Sequence, residues 1–425
     1  MDRRDFIRKA SLGAGTTLVA PHLLVQAAAV PSGGHILEPA REIPVVASAS
    51  VVVVGGGPAG FAAALAAARE GADVLLVERL YFLGGLFTGC GVTPIIDMYH
   101  PAGDGRTQAV AGVAEELCNR LEALGMLIVH KGVHPKTDPE AAKYVMETLL
   151  CEAGVRVLYG TQVAQVQCSA GRIEAVVVEG KGGRAAIRTS FVIDCSGDGD
   201  VLSWTDDPFT VYKDDIGAMW RIGNAEASAQ GSLTPVKGVR TLHMTGLREQ
   251  DGLDMFNLSQ AQIAIRKQIW EMMAALKGQE GCTDLYLVDT PSLVGVRVTR
   301  VLDSVCNVSL AGAMEGRTYP DVVGIAGAFT DIDYGGRRVG IRERKMWQVP
   351  YSSLTPRKTQ NLLVAGRCFG FERGLTYDAR EIGTCLLTGQ AAGVAAALAL
   401  DTRTSCRDLD IPALQRRLRR QHAAL

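Results

Sequence analysis

No Cys-x-x-Cys pair occurs among the ten cysteines of this 425-residue chain, and none of their spacings suits a metal site. A metal centre is therefore not expected. Cys90 lies nearest the glycine motifs described below but has no neighbouring cysteine, which argues against a redox-active disulfide. Pairing between distant cysteines stays open, because sequence does not fix which of them meet. Net charge is equally scarce: 44 basic and 45 acidic residues leave -1. The one basic cluster, Arg416-Arg417-Leu418-Arg419-Arg420, reads as the solvated face of a terminal helix, and no nucleic-acid footprint is present. Internal repeats are lacking, and no apolar run is long and unbroken enough for a stable membrane span. Against these absences, 47% of the residues are hydrophobic. That suffices for two or three domains, or for one large body with an inserted lobe.

What is present begins with an address. Asp2-Arg3-Arg4-Asp5-Phe6-Ile7 resembles a twin-arginine export signal, followed by a moderately apolar stretch from Ala10 to Val30 that Pro21 and His22 interrupt. Ala27-Ala28-Ala29 offers a small-residue cleavage site. Residues 1–30 are expected to be an export signal and residues 31–44 a linker, with the export machinery as a partner and a periplasmic or otherwise exported location.

Val51-Val52-Val53-Val54 is a β-branched run of the kind that forms a buried parallel strand. Gly55-Gly56-Gly57-Pro58-Ala59-Gly60 follows at once, and Phe61 to Ala68 supplies a helix of small residues. Gly55 permits a tight turn, Gly57 lets the backbone approach a pyrophosphate, and Gly60 lets helix and strand pack closely. The helix start, with Pro58 and Ala59, aims unpaired N–H groups and a positive dipole end at phosphates. A second strand, Asp73 to Val77, ends at Glu78, eighteen residues beyond Gly60, where an acid accepts hydrogen bonds from a ribose 2′-OH. Strand, loop, helix, strand and acid in that order point to a dinucleotide.

NAD fits such a unit as well as FAD does, so later segments decide between them. Arg79 and the pair Gly84-Gly85 follow the ribose acid, where flavoproteins continue around the dinucleotide. Asn361 to Arg367 is one more core strand ending in Gly366, and Gly389-Gln390-Ala391-Ala392-Gly393 sits in an alanine-rich helical stretch. A late strand and helix of this kind return to close over a flavin.

These stretches together resemble the FAD-dependent oxidoreductase family of the glutathione-reductase-like superfamily, from about Val51 to Leu400. Further landmarks are Asp138-Pro139-Glu140, Val192 to Asp200, Gly295 to Arg300 and Val349 to Leu354. Cys195, Ser196 and Ser352 depart from the usual family residues. Arg367 stands where many relatives in the superfamily carry a ribityl-binding acid. The resemblance implies FAD as cofactor. It also implies a Rossmann-type α/β domain of the glutathione-reductase class with a β-meander and an inserted mixed α+β substrate lobe. The FAD-binding domain would comprise residues 45–203 and 339–405, the lobe residues 204–338, and a terminal helix residues 406–425. The cofactor contacts implied are Gly55, Gly57, Pro58, Ala59, Gly60, Glu78, Arg79, Gly85, Val163, Ser196, Gly197, Gly366, Arg367, Gln390 and Ala391. The meander is expected from the runs Val155–Tyr159, Val163–Cys168, Ile173–Glu179 and Ala185–Thr189, crossing over to Phe191–Cys195. Helices are expected from Asp138 to Glu152 and from Ser259 to Leu276.

Only one strand–glycine loop–helix unit is present, since Gly13-Ala14-Gly15 lies in the export segment. A dedicated NAD(P)H domain is therefore not expected. The favoured reaction is dehydrogenation of a small organic substrate by the flavin, with electrons leaving to an unidentified acceptor. The alternatives are a flavin-dependent reductase driven by an external donor and a flavin-fold carrier without turnover. Candidate catalytic residues are Arg380, to anchor a carboxylate or stabilise flavin charge, Tyr377, to relay a proton, and His243, to accept one. His100, His130 and His134 are candidates of the same standing as His243, and for each of them a lone histidine is more often structural. Arg297 and Arg300 alternate on an expected strand, either binding an anionic substrate or pairing with acids.

Overall fold

The computed structural model describes residues 36–100, 107–130, 134–226, 228, 230–244, 246–327, 331–334, 337–340 and 346–425. The expected export signal, residues 1–30, lies outside the described residues.

Strand β1 (Val45–Val54) starts exposed and ends in the buried Val51–Val54 run. Helix α1 (Pro58–Arg69) has no polar face, and Ala59 through Ala67 are all buried. A helix apolar on every side must be covered on every side. Strand β2 (Val74–Val77) pairs with β1 in parallel. Helix α2 (Val113–Ala123) buries one face through Val113, Leu117 and Leu121. Helix α3 (Pro139–Glu152) begins where expected, because the Asp138 carboxylate accepts the N–H groups of Glu140 and Ala141.

Strands β3 (Arg156–Leu158), β4 (Gln162–Ser169), β5 (Arg172–Gly180) and β6 (Gly183–Asp194) complete most of a seven-stranded sheet ordered β3-β2-β1-β6-β5-β4. Two expectations change here. The Val155–Tyr159 run is not part of the meander: as β3 it pairs in parallel with β2, because α3 carries the chain back to that edge. The runs 185–189 and 191–195 are one strand. The first half of β6 pairs antiparallel with β5, and its length also runs parallel to β1. The meander and the parallel sheet therefore share a backbone.

The lobe is a second sheet centred on β7 (Ile216–Gly223), which pairs antiparallel with β8 (Arg240–Met244) on one side. Helix α4 (Met255–Lys277) starts earlier than expected, because Asp254 caps it through the Phe256 and Asn257 N–H groups. Its Ala261, Ile265, Ile269, Met273 and Leu276 pack on the sheet around Trp220 and Ile222. Strand β9 (Tyr286–Asp289) pairs with the other side of β7, and Gly295–Val296 pairs with its start. Beyond Val296 the chain leaves this core, since Val298, Val301, Val308 and Val323 pack with α1 and the parallel sheet.

Strand β10 (Leu362–Val364) pairs in parallel with the end of β6. Helix α5 (Ile382–Thr402) follows and is buried from Ile382 to Ala399. Among the described residues it is the one helix long and apolar enough to cross a membrane, and it is wholly inside the protein. Helix α6 (Ile411–Arg420) buries Leu414 and Leu418, while Arg417 pairs with Glu70 and Asp401.

Helices α1 and α5 meet backbone to backbone. A Cβ at Gly389 would lie 2.1 Å from the Ala59 carbonyl oxygen, and one at Gly393 would lie 2.2 Å from that of Ala63. No rotamer relieves a clash with backbone, so Gly393→Ala must push the helices apart. We expect a loss of about 3 kcal/mol in denaturant unfolding. Gly182→Ala, whose Cβ meets nothing within 4 Å, is the control and should change stability by less than about 0.5 kcal/mol.

Candidate active site

The loop from β1 to α1 contains two kinds of glycine. Gly55 has a φ of 94°, and a Cβ there would lie 2.6 Å from the Cys195 carbonyl oxygen. At Gly60 the added atom would sit 1.7 Å from the Gly55 oxygen. Those two are required by the protein's own packing. A Cβ on Gly57 would meet nothing within 4 Å. Gly57 is also the N-cap of α1, and no side chain caps that helix start. Open space before uncapped N–H groups suits an anionic ligand.

Glu78 is buried at the end of β2. One carboxylate oxygen accepts the Gly56 N–H at 2.5 Å and the other accepts the Leu80 N–H at 2.8 Å. The residue expected on the ribose thus also braces the phosphate loop, and each oxygen keeps capacity for a ligand hydroxyl. Gly85 lies against the same loop: its added Cβ would be 3.2 Å from the Gly57 Cα, and Gly84 donates to the Gly56 carbonyl at 2.7 Å.

The third wall follows β6. Buried Asp194 accepts the Ser196 hydroxyl at 2.6 Å and the Leu202 N–H at 2.9 Å, while burial pushes its pKa up. The Ser196 oxygen in turn accepts the Asp200 N–H at 2.9 Å. Arg367 donates to the Gly197 carbonyl at 2.6 Å, the Val296 carbonyl at 2.8 Å and Asp198 at 2.6 Å. Burial works against the Arg367 charge, but Asp198 outweighs it and raises the pKa. Arg367 thereby clamps the β6 loop and the lobe entrance to the end of β10. Three of its five N–H donors serve the protein itself, so its main task is holding the wall.

These walls enclose a cleft of about 570 Å³, within the usual range for cofactor and small-molecule sites. Gly55, Gly57, Pro58, Ala59, Glu78, Arg79, Ser196, Gly197, Gly366 and Arg367 all line it. Gly60 underlies it as a packing residue. Val163 lies in a side pocket beside Glu78 and Arg79. Asp200 lines both spaces. Its carboxyl is pushed up to about 6 by burial and by Asp198 and Asp194, against the pull of Arg79 and Arg300. Leu253 and the first turn of α4, with Met255 and Leu258, add apolar residues to the lining, and Arg297, Arg380 and Glu381 add charged ones.

Several expected site residues lie elsewhere. Gln390 is buried on the side of α5 away from the cleft, accepting the Val113 N–H and donating to the Gln421 carbonyl. Ala391 is fully buried in the core around α1. The part of α5 that reaches the cleft is its first turn, Ile382 and Cys385. His243 is exposed on β8 opposite Met219 and does not line the cleft. Tyr377 is buried behind the lining, its ring 5.9 Å from the Arg297 guanidinium carbon and 5.6 Å from that of Arg380. His134 sits in a hairpin off the cleft, and the side chains of His100 and His130 lie outside the described residues. Arg297 and Arg300 do not share one strand, since one strand ends at Val296 and the next begins at Arg300, yet both line the cleft. Sequence reasoning missed Asp200 and the apolar lining, whose residues are brought together only by the tertiary fold.

All ten cysteines are free thiols. Cys90 is buried, and burial pushes its thiol up to about 11, which disfavours the thiolate. Among the described residues no group of His, Cys, Asp or Glu is arranged to hold a metal.

The family model for FAD dependent oxidoreductases matches residues 50–236 and 219–418. The chain belongs to that family. It is an enzyme that uses FAD, and the carrier alternative falls away. The family implies a small-molecule substrate and an electron acceptor. The cleft fits the cofactor: the open space at Gly57, the uncapped helix start and the buried Glu78 are what a dinucleotide requires. Over 151 residues the chain is 31% identical to menaquinone reductase of Mycolicibacterium smegmatis, covering 31% of this chain and 34% of that protein. The match thus spans about a third of the relative's length. Among solved structures, a geranylgeranyl bacteriochlorophyll reductase-like protein from Thermoplasma acidophilum is similar at 13% identity and TM-score 0.45, over 88% of this chain and 83% of that one. L-Amino acid deaminase from Proteus myxofaciens is similar at 13% identity and TM-score 0.45, over 89% and 95%.

Because a Gly57 side chain enters open space, Gly57→Leu should fold with near-normal stability and lose FAD. Flavin absorbance per mole of purified protein, measured beside its unfolding curve, checks this. A folded Gly57→Leu protein with full flavin would refute the cleft assignment. Glu78→Ala removes the acceptors of two backbone N–H groups and the expected ribose contact, and FAD binding should weaken by about 1.5–3 kcal/mol.

Proposed function

We propose that this oxidoreductase is a dehydrogenase of the glutathione-reductase structural class, removing a hydride from a small organic substrate with flavin N5 as the recipient. The observation that carries this reading is the mixed lining of the cleft. The phosphate loop shares it with apolar Leu253, Met255 and Leu258 and with charged Arg297, Arg380 and Glu381. Leu253, Met255 and Leu258 would hold the substrate body. Arg367 keeps the lobe wall in register with the phosphate loop. Glu381 takes over the proton-accepting part expected of His243 and Tyr377, because it lines the cleft and they do not.

A second reading is reduction of an unsaturated substrate with electrons from an external donor. The partial likeness to a menaquinone reductase favours it. One anaerobic experiment separates the two. Purified holoenzyme mixed with small alcohols and amines should bleach in its flavin bands if it is a dehydrogenase. Failure to bleach, together with rapid reoxidation of pre-reduced enzyme by an unsaturated compound such as a quinone, would replace the first reading by the second.

We further propose that the protein is exported folded by the twin-arginine route to the periplasm or an equivalent compartment. Arg3-Arg4 ahead of Phe6-Ile7 supports this, as does a cofactor that must be loaded before export. Replacing Arg3 and Arg4 by lysines should leave the precursor uncleaved in the cytoplasm. Unchanged accumulation outside it would refute the proposal.

A further inference from the structure

Arg79, Arg297, Arg300, Arg367 and Arg380 line the cleft, and they differ in how their donors are used. Arg367 gives hydrogen bonds to three acceptors, and Arg300 donates to the Asp198 carbonyl at 2.9 Å and to Asp200 at 3.3 Å. Arg297 and Arg380 give none among the described residues. The acids nearest Arg297 are Asp214 at 3.7 Å and Asp215 at 3.5 Å, and Glu381 stays 3.8 Å from Arg380. The Arg297 side chain is only 9% exposed and that of Arg380 23%, and the Arg380 Nε is buried without an acceptor. Both guanidiniums flank the buried ring of Tyr377, which positions them without using their N–H groups.

We propose that Arg297 and Arg380 form a binding site for a carboxylate group of the substrate, with Tyr377 as the positioning residue between them. This rests on reading the part of the cleft that Arg297 and Arg380 line as the substrate chamber. A buried and a partly buried guanidinium, with carboxylates no nearer than 3.5 Å, keep donors that an anion in the cleft can fill. Burial and the neighbouring Arg380 charge both pull Arg297 below its usual pKa, and an anion shared by the pair relieves that repulsion. Asp214 and Asp215 stand behind Arg297, off the cleft lining, and Glu381 lies on it. These acids already offset part of the field, so the pair suits a monoanionic carboxylate over a dianionic phosphate. Apolar Leu253, Met255 and Leu258 on the same lining suit an apolar body on that carboxylate. The substrate class is therefore an organic acid with an apolar side group.

The test is a titration of oxidised holoenzyme with benzoate, benzamide and inorganic phosphate, read by perturbation of the flavin spectrum. Benzoate should give a saturable shift, while benzamide and phosphate should not. Arg297→Gln and Arg380→Gln should each weaken benzoate about ten- to hundred-fold with FAD content unchanged. No response to benzoate, or an unaltered response in both variants, overturns the proposal. The reduction potential of the flavin is measured in parallel. If the variants shift it while benzoate still binds normally, the arginines serve flavin charge and the proposal fails. Because the titration involves no turnover, a negative result leaves the dehydrogenase reading to be judged by bleaching with neutral substrates.

Discussion

The contact that the rest of the structure depends on is the one between the backbones of α1 and α5. Gly389 and Gly393 bring α5 onto the carbonyls of Ala59 and Ala63 with no side chain between them. Close packing of this kind fixes both the separation and the rotation of two helices, because it leaves no room for adjustment. The start of α1 is the phosphate loop, and the start of α5 carries Arg380 and Glu381 into the cleft. Seating one helix on the other therefore sets the distance between the phosphate loop and the pair Arg380 and Glu381.

Around that pair, the cleft is stiffened by buried carboxyl and guanidinium groups serving backbone. Glu78 holds Gly56 and Leu80, Asp194 holds Ser196 and Leu202, and Arg367 holds the carbonyls of Gly197 and Val296. Loops built from glycine are otherwise entropically expensive to order. Anchoring them to buried side chains keeps the walls preformed, so the cofactor meets a site already in shape. Arg297 and Arg380 stand apart from this scheme, which is why their free donors are informative.

Much of this was legible in the chain because it is written in neighbouring residues. The turn at Gly55, the acid at the end of β2 and the Asp138 cap depend on contacts a few residues away or on one βαβ unit. The late segments were legible as elements but not as faces. A helix as uniformly apolar as α5 shows no amphipathic stripe, so its composition does not say that Gln390 turns from the cleft while Cys385 turns into it. Tyr377 and Arg380 differ by less than one helical turn, enough to put one behind the lining and the other on it. Polar Ser190 divides the apolar pattern of β6, which made one strand read as two. The apolar lining needed the lobe to be folded back, and no local pattern announces that.

The seating of α1 on α5 also has a consequence for how the protein is made. About 330 residues separate Ala59 from Gly389, and ribosomes add roughly 5–20 residues per second. For something like 15 to 65 seconds the nascent chain carries a fully apolar α1 whose cover has not been synthesised. The amino-terminal half cannot finish its interior alone, however complete its nucleotide motif is. The last quarter of translation therefore decides when the site first exists.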